Sequence, residues 1–456
     1  MAAIDQFVAD FASFVWGLPL LCLLVGGGLY LLIKSGFVPF KYGLHAIDVL
    51  RGKYDDPDDP GQINHFQALS TALAATVGMG NIAGVAVAIT IGGPGAIFWM
   101  WVSGIIGMST KFFTCTLSIL YRGKDSSGEI QGGPMYFIVE GLGKKWKPLA
   151  VFFATAGLIG ALPVFNVNQL TQAIRDILLI PNGIQEGLST NLTIGIILLL
   201  ITSVVMLGGL TRISKATSAL VPLMVGLYFL SVVTILILNF DQVPYYLGMI
   251  FTEAFSPTHY NGDPLLGGVL GGIILLGIRR GAFSNEAGIG TAPMAHGAAK
   301  TSEAVREGLV AMMGPAIDTL IVCTLTALTI LVTGVWQTSG DNGVSLTATA
   351  FNNSLPGFGP YLLLVCIAIF SISSLFSYSY YGTKCASFLF GVEKKKYYSI
   401  FYLASIIIGA IASLDIIINL IDGFFALMAI PTMIATLLLS GKVKKAAKIY
   451  FEKLKS

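Results

Sequence analysis

The feature that most constrains this chain is a recurring apolar run of membrane-spanning length, with charge confined largely to the breaks between runs. A helix needs about 20 apolar residues to cross a bilayer. By that measure about eleven runs qualify, near 14–33, 67–91, 95–120, 149–177, 190–208, 215–238, 265–291, 306–334, 359–386, 398–413 and 416–440. Only 11% of the residues are charged, whereas a soluble protein carries about a quarter. At a mean hydropathy of +0.79 the expected class is an all-α polytopic membrane protein. The opening "MAAIDQFVAD" lacks the basic region of a cleavable signal, so the first run is expected to be a retained helix.

Charge distribution suggests the orientation. With the N-terminus outside, the clusters Arg122/Lys124, Lys144/Lys145/Lys147, Arg212/Lys215, Lys300/Arg306, Lys394/Lys395/Lys396 and the basic tail from Lys442 all fall in the cytoplasm. Of 27 Lys and Arg residues only Arg175 then lands on the outer half. The tail "GKVKKAAKIYFEKLKS" reads as an interfacial amphipathic helix against lipid, with no nucleic-acid role. Five dispersed cysteines form no CxxC, four scattered histidines form no HExxH, and there is no phosphate-binding GxxxxGK[ST] loop. No catalytic residues, and no obligatory protein partner, emerge from this pattern.

Two runs are poor helix material. Residues 75–84, "ATVGMGNIAG", place three glycines and Asn81 near the middle of run 67–91, each glycine costing about 1 kcal/mol relative to alanine. Run 265–291 carries Gly267, Gly268, Gly271, Gly272, Gly277 and Gly281. Counting ten core spans from 67, these are the first and the sixth, running in opposite directions. The expected divisions are 1–66 (an extra N-terminal helix and loop), 67–240 (one five-helix repeat), 241–440 (its inverted counterpart) and 441–456 (the tail). Glycine-interrupted spans at matched positions of inverted repeats point to a midplane transport site. A break frees peptide groups that lipid cannot satisfy; a carboxylate suits the freed N–H ends and a cation suits the freed carbonyls. Close helix packing through small residues is the competing explanation.

At "GGPMYFI", "NVNQ" and above all "GIRRGAFSNEAGIGTAPMAHGAA" the chain resembles the alanine or glycine:cation symporter family, over about residues 65–440. The resemblance implies the leucine-transporter fold, a 5+5 inverted repeat with one extra helix before it. It also implies import of alanine, and of glycine as well, coupled to Na+ across the plasma membrane. "TVGMGN" is further similar to the GxGN stretch of neurotransmitter:sodium symporters. Carried over, this puts the Gly78–Met79–Gly80 turn at the substrate, with the Met79 and Gly80 amides on its carboxylate and the Thr76 carbonyl and Asn81 side chain beside it. Carbonyls of Ala74 and Val77 would face sodium, completed by the Phe370 carbonyl and the Ser373 and Ser374 hydroxyls, with Ser371 a competing choice. Where the family usually reads FQANQ, Phe165 here precedes "NVNQ", so Asn166 replaces a longer glutamine.

Asn166 and Gln169 share a helix face, as do Asn168 and Gln172. Such amides can serve both ends of a zwitterion, or merely join helices; Asn168 and Gln169 are the candidates beside the substrate. On the sixth core span the site is expected around Gly271, Gly272, Ile273 and Gly277. Charges inside spans are candidates for function: Arg279, Arg280 and Glu286 read as a cytoplasmic gate, with Asp318 paired to one of the arginines. Arg279, Arg280 and Lys111 could alternatively snorkel to the inner surface. The expected function is a sodium-coupled symporter of small neutral amino acids and not an enzyme, with proton coupling through Asp318 or Glu286, or a channel, as rivals.

Overall fold

The computed structural model describes residues 2–262 and 268–455. It is almost wholly helical, apart from a two-stranded hairpin pairing Gly123–Lys124 with Ile130–Gln131. The helices that position the site are, in chain order, α1 (Ala2–Val15), α2 (Leu18–Ser35), α3 (His65–Thr76), α4 (Gly80–Gly92), α5 (Gly95–Leu120), α6 (Lys147–Gly160), α7 (Val164–Ile174), α8 (Leu188–Met206), α9 (Gly209–Leu238), α10 (Gly268–Asn285), α11 (Ala304–Val332), α12 (Gly359–Phe390), α13 (Lys395–Ile411) and α14 (Leu414–Lys455). Among the described residues eight helices are long and apolar enough to span a membrane, and the bent pair α3–α4 makes a ninth. The two remaining expected spans fall on α10, whose run begins outside the described residues, and on the 17-residue α13.

The N-terminal region differs from expectation by a helix. Residues preceding the first apolar run form α1, which packs against α14. At the other end the basic tail forms no separate interfacial helix: α14 continues unbroken for 42 residues. Its last turns are held by the short helix Gly43–Leu50 and its N-cap residue Tyr42, where His45 bonds the Tyr450 hydroxyl at 2.7 Å and Tyr42 stacks on Phe451 at 3.7 Å. Buried apolar positions at Val443 and Ala447 give that extension a packed face, which favours continuing the helix over lying on lipid.

The first broken span is built as its sequence suggests. Asn64 caps α3 by accepting from the Gln67 amide at 2.8 Å, and the Gln67 side chain accepts from the Asn64 amide at 3.1 Å, a reciprocal capping box. The helix stops at Thr76 because Val77 turns extended, with φ −75° and ψ 94°. It resumes at Gly80 with its axis bent by 51°.

The sixth core span is not broken where its glycines cluster. α10 runs continuously through Gly271, Gly272, Ile273 and Gly277, while Gly267 lies outside the described residues. These glycines serve close packing instead. A Cβ on Gly272 would lie 2.3 Å from the Tyr260 hydroxyl oxygen, and one on Gly277 would lie 2.5 Å from both the Ala96 carbonyl oxygen and the Trp99 Cβ. The interruption comes later, at 286–291, where Glu286, Gly288 and Gly290 adopt φ of 53°, 86° and 105°. Left-handed backbone ends a helix; a glycine with helical φ merely leaves room on it. Gly277→Ala should therefore lower thermal stability in detergent by the 1–3 kcal/mol typical of overpacking. Alanine affinity of the folded fraction should not change, and a selective loss of affinity would return Gly277 to the substrate site.

Candidate functional site

The two interruptions meet. A Cβ on Gly80 would lie 3.3 Å from the Ser284 Cα, so the start of α4 and the end of α10 touch backbone to backbone. Between them lies a cavity of about 20 Å³, room for a water or two. Ala75, Thr76, Met79 and Gly80 line it from the first break, and Phe283 and Glu286 from the second. Phe165 and Asn166 of α7 and Tyr378 of α12 close it. Phe165 and Phe283 meet edge to face at 5.4 Å. The Glu286 carboxylate accepts from the Tyr378 hydroxyl on one oxygen and the Thr291 hydroxyl on the other.

Asn81 does not point into this cavity. Its Oδ1 accepts from the Gly78 amide at 2.8 Å, and its Nδ2 donates to the Asp318 carboxylate at 2.6 Å and the Asp318 carbonyl at 3.1 Å. Every strong bond of the Asn81 side chain thus holds the break together. Asp318 also accepts from Ser284 at 2.9 Å and Thr319 at 2.8 Å. Its expected pairing with Arg279 or Arg280 is not made: both arginines bond Asp422 of α14, Arg279 Nη2 at 2.5 Å and Arg280 Nη2 at 3.3 Å. The expectation failed because Asp422, a lone charge in the run 416–440, was not weighed.

Nor do these arginines face the tail. Arg280 lines an open vestibule with Asp341, Asn342 and Asp415, at the end of α14 far from the basic tail. Arg279 and Arg280 therefore belong to the half of the molecule opposite the tail, alongside Arg175, and are not a tail-side gate. Hydroxyl bonds from Ser339 and Thr349 hold the Asp341 carboxyl below the usual carboxylate range. On the tail side another closure appears. Glu307 accepts one bond from His65 at the start of α3 and another, at 2.5 Å, from His296 in the short helix Ala292–His296. All three side chains are buried. Arg122 braces the same region by donating to the carbonyls of Pro60 at 3.0 Å, Gly297 at 3.0 Å, Thr301 at 3.1 Å, and Ala299. Scattered histidines carried no spacing signal, because their partner arrives from α11.

Behind the first break, α3 faces α12. Ser374 bonds the Ala74 carbonyl at 2.7 Å and the Phe370 carbonyl at 3.0 Å, and Ser373 bonds the Phe370 carbonyl at 2.9 Å. Four of the five groups named for sodium are thereby adjacent, and the fifth, Val77, sits in the extended turn beside them. A Cβ on Gly78 would stand 3.0 Å from the Ser374 hydroxyl, which explains the glycine there. The Ser371 hydroxyl is buried with no partner among the described residues.

The amides of α7 divide. Asn166 reaches the cavity. Asn168 instead donates to the carbonyls of Gly409 at 3.3 Å and Ala412 at 2.8 Å, tying α7 to α13. Gln169 donates to Asn168 and Gln172 and lies near Gly343, away from the cavity. A helical wheel could not separate these roles, since neighbours on two sides of α7 are both polar.

The family model described as "Sodium:alanine symporter family" matches residues 1–456. The chain is 40% identical to the sodium/alanine symporter AgcS of Methanococcus maripaludis, covering 96% of both chains. It is 39% identical to an uncharacterized transporter of Haemophilus influenzae, over 99% of this chain and 97% of that one. Among solved structures, MhsT in complex with L-phenylalanine superposes with a TM-score of 0.61 at 15% identity, over 86% of this chain and 99% of that one. The architecture is the leucine-transporter fold, the protein is a multi-pass membrane transporter of amino acids and not an enzyme, and the chain belongs to the sodium:alanine symporter family.

Proposed function

We propose that this chain imports alanine, and glycine, together with sodium across the plasma membrane by alternating access, with its N-terminus outside and its tail inside. The observation that carries the reading is one enclosed cavity bounded by two helix breaks, with a shell of hydroxyl and carbonyl oxygens directly behind the first. The substrate carboxylate meets the Met79–Gly80 end of α4, where the half-helix dipole is positive. Its ammonium faces the carboxylate of Glu286, the Asn166 side chain and the Thr76 carbonyl. Phe165 and Phe283 limit the side chain to a methyl or a hydrogen, because the space between them is small. Gly78 keeps that turn against Ser374, and Asn81 holds its shape from behind.

Sodium binds among the carbonyls of Ala74, Val77 and Phe370 and the hydroxyls of Ser373 and Ser374. These are hard oxygen donors, and filling them joins α3 to α12. Sodium binding therefore favours the arrangement in which the first break is ordered for alanine, which is coupling in the thermodynamic sense. The Arg279/Arg280–Asp422 contacts close the outer path, and His65–Glu307–His296 closes the inner one. One charge moving through 100 mV supplies about 2.3 kcal/mol toward accumulation.

The deciding measurement is uptake of labelled alanine into proteoliposomes under separately imposed sodium and proton gradients. Accumulation should follow the sodium gradient at zero pH difference; accumulation driven by protons in sodium-free medium would replace sodium with the proton rival. In the doubly substituted Ser373→Ala, Ser374→Ala chain, half-saturation by sodium should rise by about tenfold or more, since each lost ligand bond is worth roughly 1 kcal/mol. An unchanged sodium curve would remove these hydroxyls from the ion site. Gly80→Leu should insert normally yet lose alanine binding, because even a Cβ at Gly80 lies only 3.3 Å from the Ser284 backbone. Unaltered binding in that variant would move the substrate away from the first break.

A further inference from the structure

One buried charge has no part in the scheme so far. Lys111 of α5 is 2% exposed and so does not snorkel to either surface. Its Nζ stands 3.2 Å from where a Cβ on Gly314 would sit, so the absence of a side chain there makes room for the ammonium. Among the described residues no carboxylate lies within 4.0 Å of it, and it donates no hydrogen bond to a described acceptor. One turn before it on α5, a Cβ on Gly107 would lie 2.8 Å from the Ala287 Cβ and 3.4 Å from the Asn285 Oδ1, and one on Gly104 would lie 3.1 Å from the Thr319 Cβ, so this stretch of α5 packs against the neighbours of Glu286, at the second break, and of Asp318, which braces the first. An ammonium buried this deeply is tolerated only with compensating negative charge nearby. The converse also holds: two buried carboxylates, Glu286 lining the cavity and Asp318 behind the first break, need positive charge.

We propose that Lys111 is the fixed counter-charge of the transport site, the residue that allows the unloaded carrier to reorient. This inference rests on the symport reading. When sodium and the substrate ammonium are bound, they supply positive charge to the site occupied by Glu286 and Asp318. When both leave, Lys111 is the positive group that remains beside these carboxylates among the described residues, with no hydrogen bond or ion pair committing it to either. Its position on α5 means that the compensation stays in the membrane interior through both halves of the cycle. The residue acts through Glu286 and Asp318 and does not touch substrate; it is a positioning residue.

Such a role separates two measurements that a structural lysine would move together. Exchange of labelled for unlabelled alanine, with sodium and alanine on both faces, needs only the loaded carrier to move. Net uptake into alanine-free vesicles also needs the empty carrier to return. In Lys111→Gln, exchange should stay within about threefold of the unsubstituted protein while net uptake falls by at least about tenfold, since exposing a buried charge to an absent partner costs several kcal/mol. Equal losses of exchange and net uptake, or unaltered net uptake, would overturn the proposal. Should Lys111→Gln fail to fold, Lys111→Arg reads the same ratio: an unchanged ratio supports a charge requirement, and a collapsed one contradicts it. Absence of sodium-dependent exchange in the unsubstituted protein would instead defeat the symport reading itself, and this inference with it.

Discussion

A peptide chain that stops being helical inside a membrane must find partners for the groups it releases, and here the Asn81 side chain takes the Gly78 amide while Ser374 and Ser377 of α12 donate to the Ala74 and Thr71 carbonyls. Asn81 accepts from the Gly78 amide and donates to Asp318, so a single amide both caps the break and anchors it to α11. An aspartate at position 81 could accept but not donate, and a serine would not span the distance to both partners. Asp318 in turn takes the Ser284 hydroxyl at the end of α10. The two interruptions are therefore held in register through Asn81 and Asp318, beside the cavity that they line.

The buried charges fall into three groups along the path. Arg279, Arg280 and Asp422 lie on the side of the vestibule, with Trp16 donating to the Asp422 carbonyl at 2.9 Å and lying under the Arg279 guanidinium at 5.6 Å. Glu286 lines the cavity, with Asp318 bracing the first break behind it and Lys111 buried on α5, and His65, Glu307 and His296 lie toward the tail. Arg279 and Arg280 join α10 to α14, and Glu307 joins α11 to α3 and to the Ala292–His296 helix. Among the described residues the Asp422 Oδ1, the Arg280 Nε and the His296 Nε2 are buried without partners. In the proposed cycle, a closure with unspent polar atoms would cost less to part than a fully bonded one.

How much of this was legible in the sequence follows from the range of each interaction. Apolar runs and the Gly-Met-Gly-Asn turn are local, and both led to the helices and the bend at Val77–Met79. The position of the second break was misplaced because glycine count was taken as the signal. The structure distinguishes Gly277, which makes room for Trp99, from Gly288 and Gly290, which adopt left-handed backbone, and composition alone does not. Side-chain partners that come from distant spans were the least accessible. Asp422 lies 143 residues from Arg279, and Glu307 lies 242 from His65, so no spacing rule linked them. Asn168 and Asn166 show the same limit at short range: two residues apart, one joins α13 and the other lines the cavity.

The two breaks are chemically unequal. At the first, the polar side chain is consumed by its own backbone and by Asp318, leaving the amide end of α4 as what the cavity meets. At the second, Glu286 sits in left-handed backbone, a conformation uncommon for a residue with a side chain, and presents a carboxylate to the same space. Under the proposed function, amide hydrogens on one wall and a carboxyl side chain on the other would orient an amino acid, and Phe165 and Phe283, in edge-to-face contact at 5.4 Å, would have to part for a side chain to enter.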